Sequence, residues 1–391
     1  MVHQTMNKSS TSAPSASSTI THTARLLLIC AAILGGCATR MQEPEAPAST
    51  PVAPSVPAAK TTTPNVKLQG NARWVEAAWS ELPGWGDDKL LEFWPALLRS
   101  CTRPAPGWAR LCAEAALTAP GDEMEARLWL MQRLKPWRVE SSSGETDGLA
   151  TGYFEPQIDA TRRPRGDSRI PVLAPPADLA TRRPYFTRRE IESGQAGAQK
   201  PIAYVADTIE LLAMQIQGSG RMLVTEPDGR TQLRRLAFSG QNDQPYQSIG
   251  KLLQDRGELR DASWPAIRDW ARQNPSKLNE VLWSNPRYVF FREEPLPDPE
   301  LGPRGSQGVP LTPGRSVAVD KTVVPLGTPI WLDTTQPRTA TPLRRLAMAQ
   351  DVGGAITGAV RLDYFWGWGA EAEEQAGRMK QGLRMWVLWP R

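Results

Sequence analysis

Gly308-Val-Pro-Leu-Thr-Pro-Gly-Arg-Ser-Val-Ala-Val-Asp320 opens the part of the chain that decides its fold. It runs on to Val324-Pro-Leu-Gly-Thr-Pro-Ile-Trp331. Two later segments share its texture, Ala349-Gln-Asp-Val-Gly-Gly-Ala-Ile-Thr-Gly358 and Val360-Arg-Leu-Asp-Tyr-Phe-Trp-Gly367. Short apolar runs alternate with Gly/Pro turns, the texture of short strands tightly joined. Ser316–Asp320, Pro329–Leu332, Leu346–Gln350 and Met385–Leu388 read as strands, with one helix near Glu371–Lys380. Asp320, Asp351 and Asp363 each end an apolar run beside a turn or loop, where side chains can converge on a cleft. Carboxylates close together in a partly dry site cannot all ionise easily, so one becomes a usable acid. On chemistry alone two other readings stay open. Asp is common in plain turns, and three acidic groups can hold a cation.

Upstream the pattern changes. From Ala72 to Trp137 it is helical: Asp87 and Asp88 precede Leu90, Leu91, Phe93, Trp94, Leu97 and Leu98, and Asp122 precedes Met124, Leu128, Met131 and Leu134. The tryptophans here suit core packing, and sugar platforms are the second reading. Beyond Gly148 strands take over. Met222–Thr225 and Gln232–Phe238 flank Glu226-Pro-Asp-Gly229, a hairpin signal. Asp207-Thr-Ile-Glu210 caps a short helix through Met214, Ser263-Trp-Pro265 starts another, and Arg287–Arg292 reads as a strand. Together these predict an α+β protein, mainly β, built on a compact barrel.

The start of the chain reads as an export signal. Lys8 and Arg25 precede an apolar run from Leu26 to Leu34 that ends in Leu34-Gly-Gly-Cys37. The run is far shorter than the roughly 20 residues of a membrane-spanning helix. A cysteine after Leu-Gly-Gly resembles the lipobox of bacterial lipoproteins, which implies lipidation of Cys37. Ala38, where an aspartate would mark inner-membrane retention, points to the outer membrane and the periplasm. Residues 1–36 are then the signal peptide. Residues 37–67, rich in Pro, Ala and Thr, form the lipidated start and a flexible linker.

Composition excludes several chemistries. Both histidines, His3 and His22, fall in the signal segment. The mature chain therefore has no Ser-His-Asp or Cys-His system and no His-containing zinc site. Of four cysteines, Cys30 leaves with the signal and Cys37 takes the lipid. Cys101 and Cys112 remain, close in sequence in an oxidising compartment, and read as a disulfide. The formal net charge of +5 loses two positive residues with the signal, and what is left names no partner. Nucleic acid is not expected. The arginines 162, 163, 165, 169, 182, 183, 188 and 189 form either a solvated basic loop or a carboxylate-binding surface.

The three aspartate segments resemble the three-aspartate "3D" domain at the C-terminus of the membrane-bound lytic murein transglycosylase A family. Ala150-Thr-Gly-Tyr-Phe-Glu-Pro156, Met214-Gln-Ile-Gln-Gly-Ser-Gly-Arg221, Pro245-Tyr-Gln-Ser-Ile-Gly250 and Asn285-Pro-Arg-Tyr-Val-Phe-Phe291 resemble other motifs of that family, in its order. The likeness spans about residues 68–391. Ser239-Gly-Gln-Asn-Asp243 departs from the family's Gly-His-Asn, so no histidine role carries over.

The resemblance implies a double-psi β-barrel, with N-terminal helices, from residues 68–155 and 295–391. A second β-rich domain is inserted at 156–294. Asp363 falls on the family's catalytic acid, and Asp351 and Asp320 on its supporting aspartates. Tyr153, Glu155, Gln217 and Ser219, in these family-like motifs, are expected to bind substrate; the other reading makes Tyr153 core and Gly218-Ser-Gly220 a plain turn. The implied activity is peptidoglycan cleavage between N-acetylmuramic acid and N-acetylglucosamine with formation of 1,6-anhydromuramic acid ends. No cofactor and no metal is implied. Expected partners are glycan strands and the outer membrane, with room for wall-synthesis or remodelling proteins. Two other readings stay open: a hydrolytic muramidase using Asp351 and Asp363, and a non-catalytic wall-binding lipoprotein.

Overall fold

The computed structural model describes residues 64–391. The signal segment and Cys37 lie outside the described residues, as does the linker up to residue 63. The linker's final residues are already structured, which corrects its expected end. Val66–Gln69 is a strand, β1, paired with β2 (Ala72–Glu76) across the two-residue turn Gly70-Asn71. Gly70 takes φ +57°, the left-handed value such a hairpin turn asks of its first residue.

The helical reading of Ala72–Trp137 fails at both ends. Ala72–Glu76 is β2 and Leu134–Ser141 is β3, and Trp74, Trp137 and Val139 enter the barrel core at strand spacing. Between them lie α1 (Leu90–Cys101), α2 (Ala109–Ala116) and α3 (Glu123–Arg133). Asp122 caps α3 by accepting from the Glu125 backbone N–H at 2.8 Å. Cys101 and Cys112 are bonded, tying the end of α1 to α2. Trp85, Trp94, Trp108 and Trp129 are buried among these helices, so here the tryptophans are core.

The chain continues through β4 (Gly148–Glu155), β5 (Gln157–Thr161), β6 (Ile170–Leu173), α4 (Arg188–Glu192), β7 (Pro201–Val205) and α5 (Thr208–Gln217). Next come β8 (Ser219–Thr225), β9 (Thr231–Gln241), α6 (Ile249–Asp255), α7 (Trp264–Gln273), α8 (Leu278–Trp283) and β10 (Val289–Pro295). The last part holds β11 (Ser316–Val319), β12 (Pro329–Thr335), β13 (Pro342–Asp351), β14 (Arg361–Trp368), α9 (Gly369–Arg378) and β15 (Lys380–Pro390).

Two sheets organise these strands. The nine-stranded one runs β1-β2-β3-β15-β12-β13-β11-β14-β4, and β4 pairs back onto β15. Six strands therefore close a ring: β15, β12, β13, β11, β14 and β4. The length of β15 allows this, because Lys380–Leu383 pair with β4 while Trp386–Pro390 pair with β3. Alternation decides the two faces of the ring. Val317, Val319, Ile330, Leu332, Ala347, Ala349, Leu362 and Tyr364 fill its inside. Trp331, Leu346, Met348, Trp386 and Leu388 point out and are covered by α1–α3.

The six-stranded sheet, β10-β9-β8-β5-β7-β6, is built wholly from residues 157–295. Its β8–β9 hairpin turns at Gly229, φ +86°. Helix α5 is capped by Asp207, packs Leu211 and Met214 onto this sheet, and turns Ile209 and Leu212 toward α6–α8. The molecule is thus mainly β, a closed barrel with helices on one side and a second β-rich unit.

Candidate active site

The site begins with strand register. Ala318 of β11 pairs with Asp351 of β13 on one side and Asp363 of β14 on the other. Asp363 in turn pairs with Thr151 of β4, and Thr151 with Lys380 of β15. These residues form one row across the ring. Asp363 lies between Leu362 and Tyr364, whose side chains fill the barrel, so its carboxyl group points out of it. Asp363 is therefore in mid-strand, not at the end of a run beside a turn. The alternation of Arg361–Trp368 is the sequence signal for this placement.

Asp363 has few partners. Its Oδ1 accepts a hydrogen bond from the Thr151 hydroxyl at 2.6 Å. Burial pushes its pKa up from 3.8 to about 6, and the Asp351 charge adds to that. Thr151 and the Arg361 guanidinium pull the other way. A carboxyl group that holds a proton near neutral pH can act as a general acid and then as a base.

Asp351 is held differently. Its Oδ1 accepts from the Ser306 backbone N–H, the Ser306 hydroxyl and the Val352 N–H, each at 2.9 Å. Its Oδ2 faces the Tyr153 hydroxyl at 3.4 Å. Burial raises its pKa and these bonds oppose the rise. Tyr153 is half-buried, and desolvation of its hydroxyl together with the charge of both carboxylates keeps its pKa well above 10 and the hydroxyl protonated.

Asp320 stands apart. Its carboxylate accepts from Thr322 (N–H 3.0 Å, hydroxyl 2.6 Å) and from the Gly358 N–H at 3.0 Å, which lowers its pKa against the effect of burial. It ties down the loop between β13 and β14 and so holds the two strands that carry Asp351 and Asp363.

Beside this row a cleft of about 410 Å³ opens between the barrel and the second sheet. Tyr153, Ser306, Asp351 and Phe365 line it from the barrel side, and Gln217, Ser219, Arg235 and Phe238 from the other. Asp363 does not line the cleft itself; it is partly open to solvent and lies beside Tyr153 and Asp351, which do. Tyr153, Gln217 and Ser219 are thus brought together. Glu155 is not. It is fully buried, paired at 2.8 Å with both Arg221 and Arg235, and has no surface to offer a ligand. Its place before Pro156 at the end of β4 turns it inward, where it presents Arg235 to the cleft.

The basic stretch is largely solvated: Arg163, Arg165, Arg169, Arg182, Arg183 and Arg189 are exposed. Arg162 instead bridges Glu226 and Glu293, and Arg188 is buried against Gln215 and Glu192. None of these lines the cleft. Among the described residues, no three His, Cys, Asp or Glu side chains gather as a metal site. Thr151, Ser306, Arg235 and Arg361 were not singled out from the sequence, although Thr151 and Arg361 sit inside two of the segments quoted for it.

Known families match this chain in two blocks. The "MltA specific insert domain" matches residues 149–292, and the "3D domain" matches residues 315–389. Membrane-bound lytic murein transglycosylase A of Escherichia coli K12 is 33% identical over 280 residues, covering 70% of this chain and 73% of that protein. The crystal structure of MltA from Neisseria gonorrhoeae superposes with a TM-score of 0.74 at 32% identity, over 84% of this chain and 95% of that one. E. coli MltA with bound chitohexaose superposes at 0.62 with 27% identity, over 84% and 95%. Among the described residues no helix is long and apolar enough to cross a membrane.

Proposed function

The chain belongs to the membrane-bound lytic murein transglycosylase A family, and from that premise we propose that its chemistry runs through one carboxyl group, Asp363. It is a lytic transglycosylase of peptidoglycan. It cleaves the β-1,4 bond between N-acetylmuramic acid and N-acetylglucosamine and leaves 1,6-anhydromuramic acid ends. The observation that carries the assignment of Asp363 is its placement, a partly buried carboxyl group with pKa about 6 beside Asp351 and Tyr153, which line the cleft.

Protonated Asp363 gives its proton to the glycosidic oxygen as the bond to C1 breaks. The carbonyl oxygen of the substrate's own 2-acetamido group closes onto C1, so the two-carboxylate scheme is not needed. Asp363, now ionised, takes the proton of the C6 hydroxyl as that oxygen bonds C1 and the acetamido oxygen leaves. The proton returns to where it began, and no water is consumed. Tyr153, its ring backed at 5.1 Å by the buried Phe365, offers an aromatic face to a sugar. Gln217 and Ser219 offer hydrogen bonds across the cleft. Chitohexaose in the E. coli relative supports a site for linked amino sugars.

Three finer points belong to the same reading. The ring holds two parallel pairs, β11 with β13 and β14 with β4, which supports a double-psi barrel. Residues 68–155 and 295–391 form the barrel domain, and 156–294 the insert. Lipidation at Cys37 anchors the protein in the outer membrane, facing the periplasm. Digestion of purified sacculi followed by mass analysis tests the function. Anhydro ends, lighter by one water than hydrolysed ends, are expected, and reducing ends alone would overturn it.

A further inference from the structure

We propose that Arg361 and Thr151 form a directed hydrogen-bond relay that positions Asp363 and fixes which of its oxygens carries the catalytic proton. This rests on Asp363 being the proton carrier. Arg361 Nη2 donates to the Thr151 hydroxyl oxygen at 2.8 Å, and that hydroxyl lies 2.6 Å from Asp363 Oδ1. A guanidinium has only hydrogens to give. Thr151 must accept from Arg361 and has one hydrogen of its own, which it gives to Asp363. Oδ1 is therefore always an acceptor, and the proton that moves to substrate sits on Oδ2.

The register builds this relay. Asp363 pairs with Thr151, so the two side chains stand side by side on the outer face of parallel strands. Arg361, two residues before Asp363, shares that face. It is half-buried, and its Nη1 is held by the Leu149 carbonyl at 3.3 Å and by the Leu362 carbonyl. The fork is anchored and leaves Nη2 aimed at Thr151.

Other charges near Asp363 come from each neighbouring element. Asp351 on β13 and Tyr153 on β4 face it, and β11 contributes only Ala318. Lys380 on β15 lies opposite Thr151 but is exposed. On α9, Glu373 is tied to Arg268 and Glu374 to Arg378. The relay is thus the direct hydrogen-bonded link to the carboxyl group. It favours the ionised form, opposing burial and Asp351. Without it Asp363 would keep its proton to higher pH and become a weaker acid and a disoriented one.

The test is a set of pH–rate profiles on sacculi for the full chain carrying Thr151→Val, Thr151→Ser, Arg361→Met or Asp363→Asn. Activity needs protonated Asp363, so it falls as pH rises through that pKa. Thr151→Val keeps the shape and removes the hydroxyl, so the alkaline limb should move up by about one pH unit. Its maximal rate should fall about tenfold or more from lost orientation. Thr151→Ser should restore both, and Arg361→Met should move the limb the same way. A limb that stays put in Thr151→Val and Arg361→Met, with Asp363→Asn inactive, overturns the relay alone. An active Asp363→Asn overturns the underlying reading.

Discussion

Asp351 and Asp363 both register against Ala318, one from each side, so a single methyl-bearing residue separates the carboxyl groups of the cleft. Their surroundings push them into different roles. Asp351 is the acceptor of a Ser306, Val352 and Tyr153 cluster, whereas Asp363 has one hydrogen-bond donor and a pKa of about 6. Two like groups whose environments differ in this way can divide acid–base work.

Asp363→Asn should therefore separate turnover from stability. Asparagine still accepts from Thr151 but carries no transferable proton, so kcat should fall by at least about 10²–10⁴. Glycan binding should persist. The folded chain holds a proton at Asp363 up to about pH 6, while the unfolded chain releases it near 3.8. Stability contributed by that proton is full below about pH 4 and is lost as pH rises to about 6. Asparagine removes that loss. The variant should be more stable than the parent at pH 7 by about 1–2 kcal/mol, the value being reduced because the group is partly open to water. The gain should vanish below pH 4. Thermal unfolding at pH 7 and pH 3.5, beside sacculus digestion, checks both halves; an unchanged rate refutes the assignment.

Glu155 should behave as a structural residue. With Glu155→Gln, Arg221 and Arg235 lose their shared carboxylate in a fully buried place. Breaking a buried pair from one side costs about 3–5 kcal/mol. Urea unfolding should show a loss of that size. A loss under 1 kcal/mol together with weakened glycan binding would return Glu155 to the list of substrate contacts.

What the sequence made legible here were local features. The β8–β9 hairpin, the capped starts of α3 and α5, and strand β12 follow from turn chemistry and period within about three residues, whereas β13 and β15 begin well before their apolar runs, at Pro342 and Lys380. Trp74 and Trp137 lie in strands β2 and β3 that flank the helices, and the helical spacing of Leu90–Leu98 and Met124–Leu134 between them does not extend to these ends. In the sequence Asp363 looks like a run-end residue because Phe365 and Trp366 obscure the alternation of β14. The Thr151–Asp363 contact joins residues 212 apart, through a parallel pairing that no local pattern announces. The Glu155 motif gives the residue's identity but not its direction, which the buried Arg221 and Arg235 set.

Gln217 closes α5, with Gly218 in the left-handed conformation after it, so its side chain reaches the cleft from a fixed helix end. Its Oε1 accepts only a long bond, 3.4 Å, from the Phe154 N–H. Gln217→Ala should weaken binding of an amino-sugar oligosaccharide such as chitohexaose about tenfold, the worth of one good hydrogen bond. The melting temperature should move little. Calorimetric titration decides this, and unaltered affinity removes Gln217 from the site.

Asp351→Asn distinguishes transglycosylation from hydrolysis by an Asp351–Asp363 pair. A hydrolytic base needs a free lone pair aimed at water. Asp351 Oδ1 already accepts three hydrogens at 2.9 Å, and Oδ2 faces a tyrosine hydroxyl that stays protonated. Asparagine can keep the Oδ1 contacts while removing the charge. That charge is one of the causes that raise the Asp363 pKa, so its loss lets Asp363 ionise at lower pH. The alkaline limb of the rate profile should then move down, opposite in sign to the Thr151→Val shift. The rate near the new optimum should stay within about tenfold of the parent, since the proton donor is intact. Every product end should still be anhydromuramic acid. A variant that has lost four orders of magnitude in rate, from a parent that releases reducing ends in water, would make Asp351 a base and the enzyme a hydrolase.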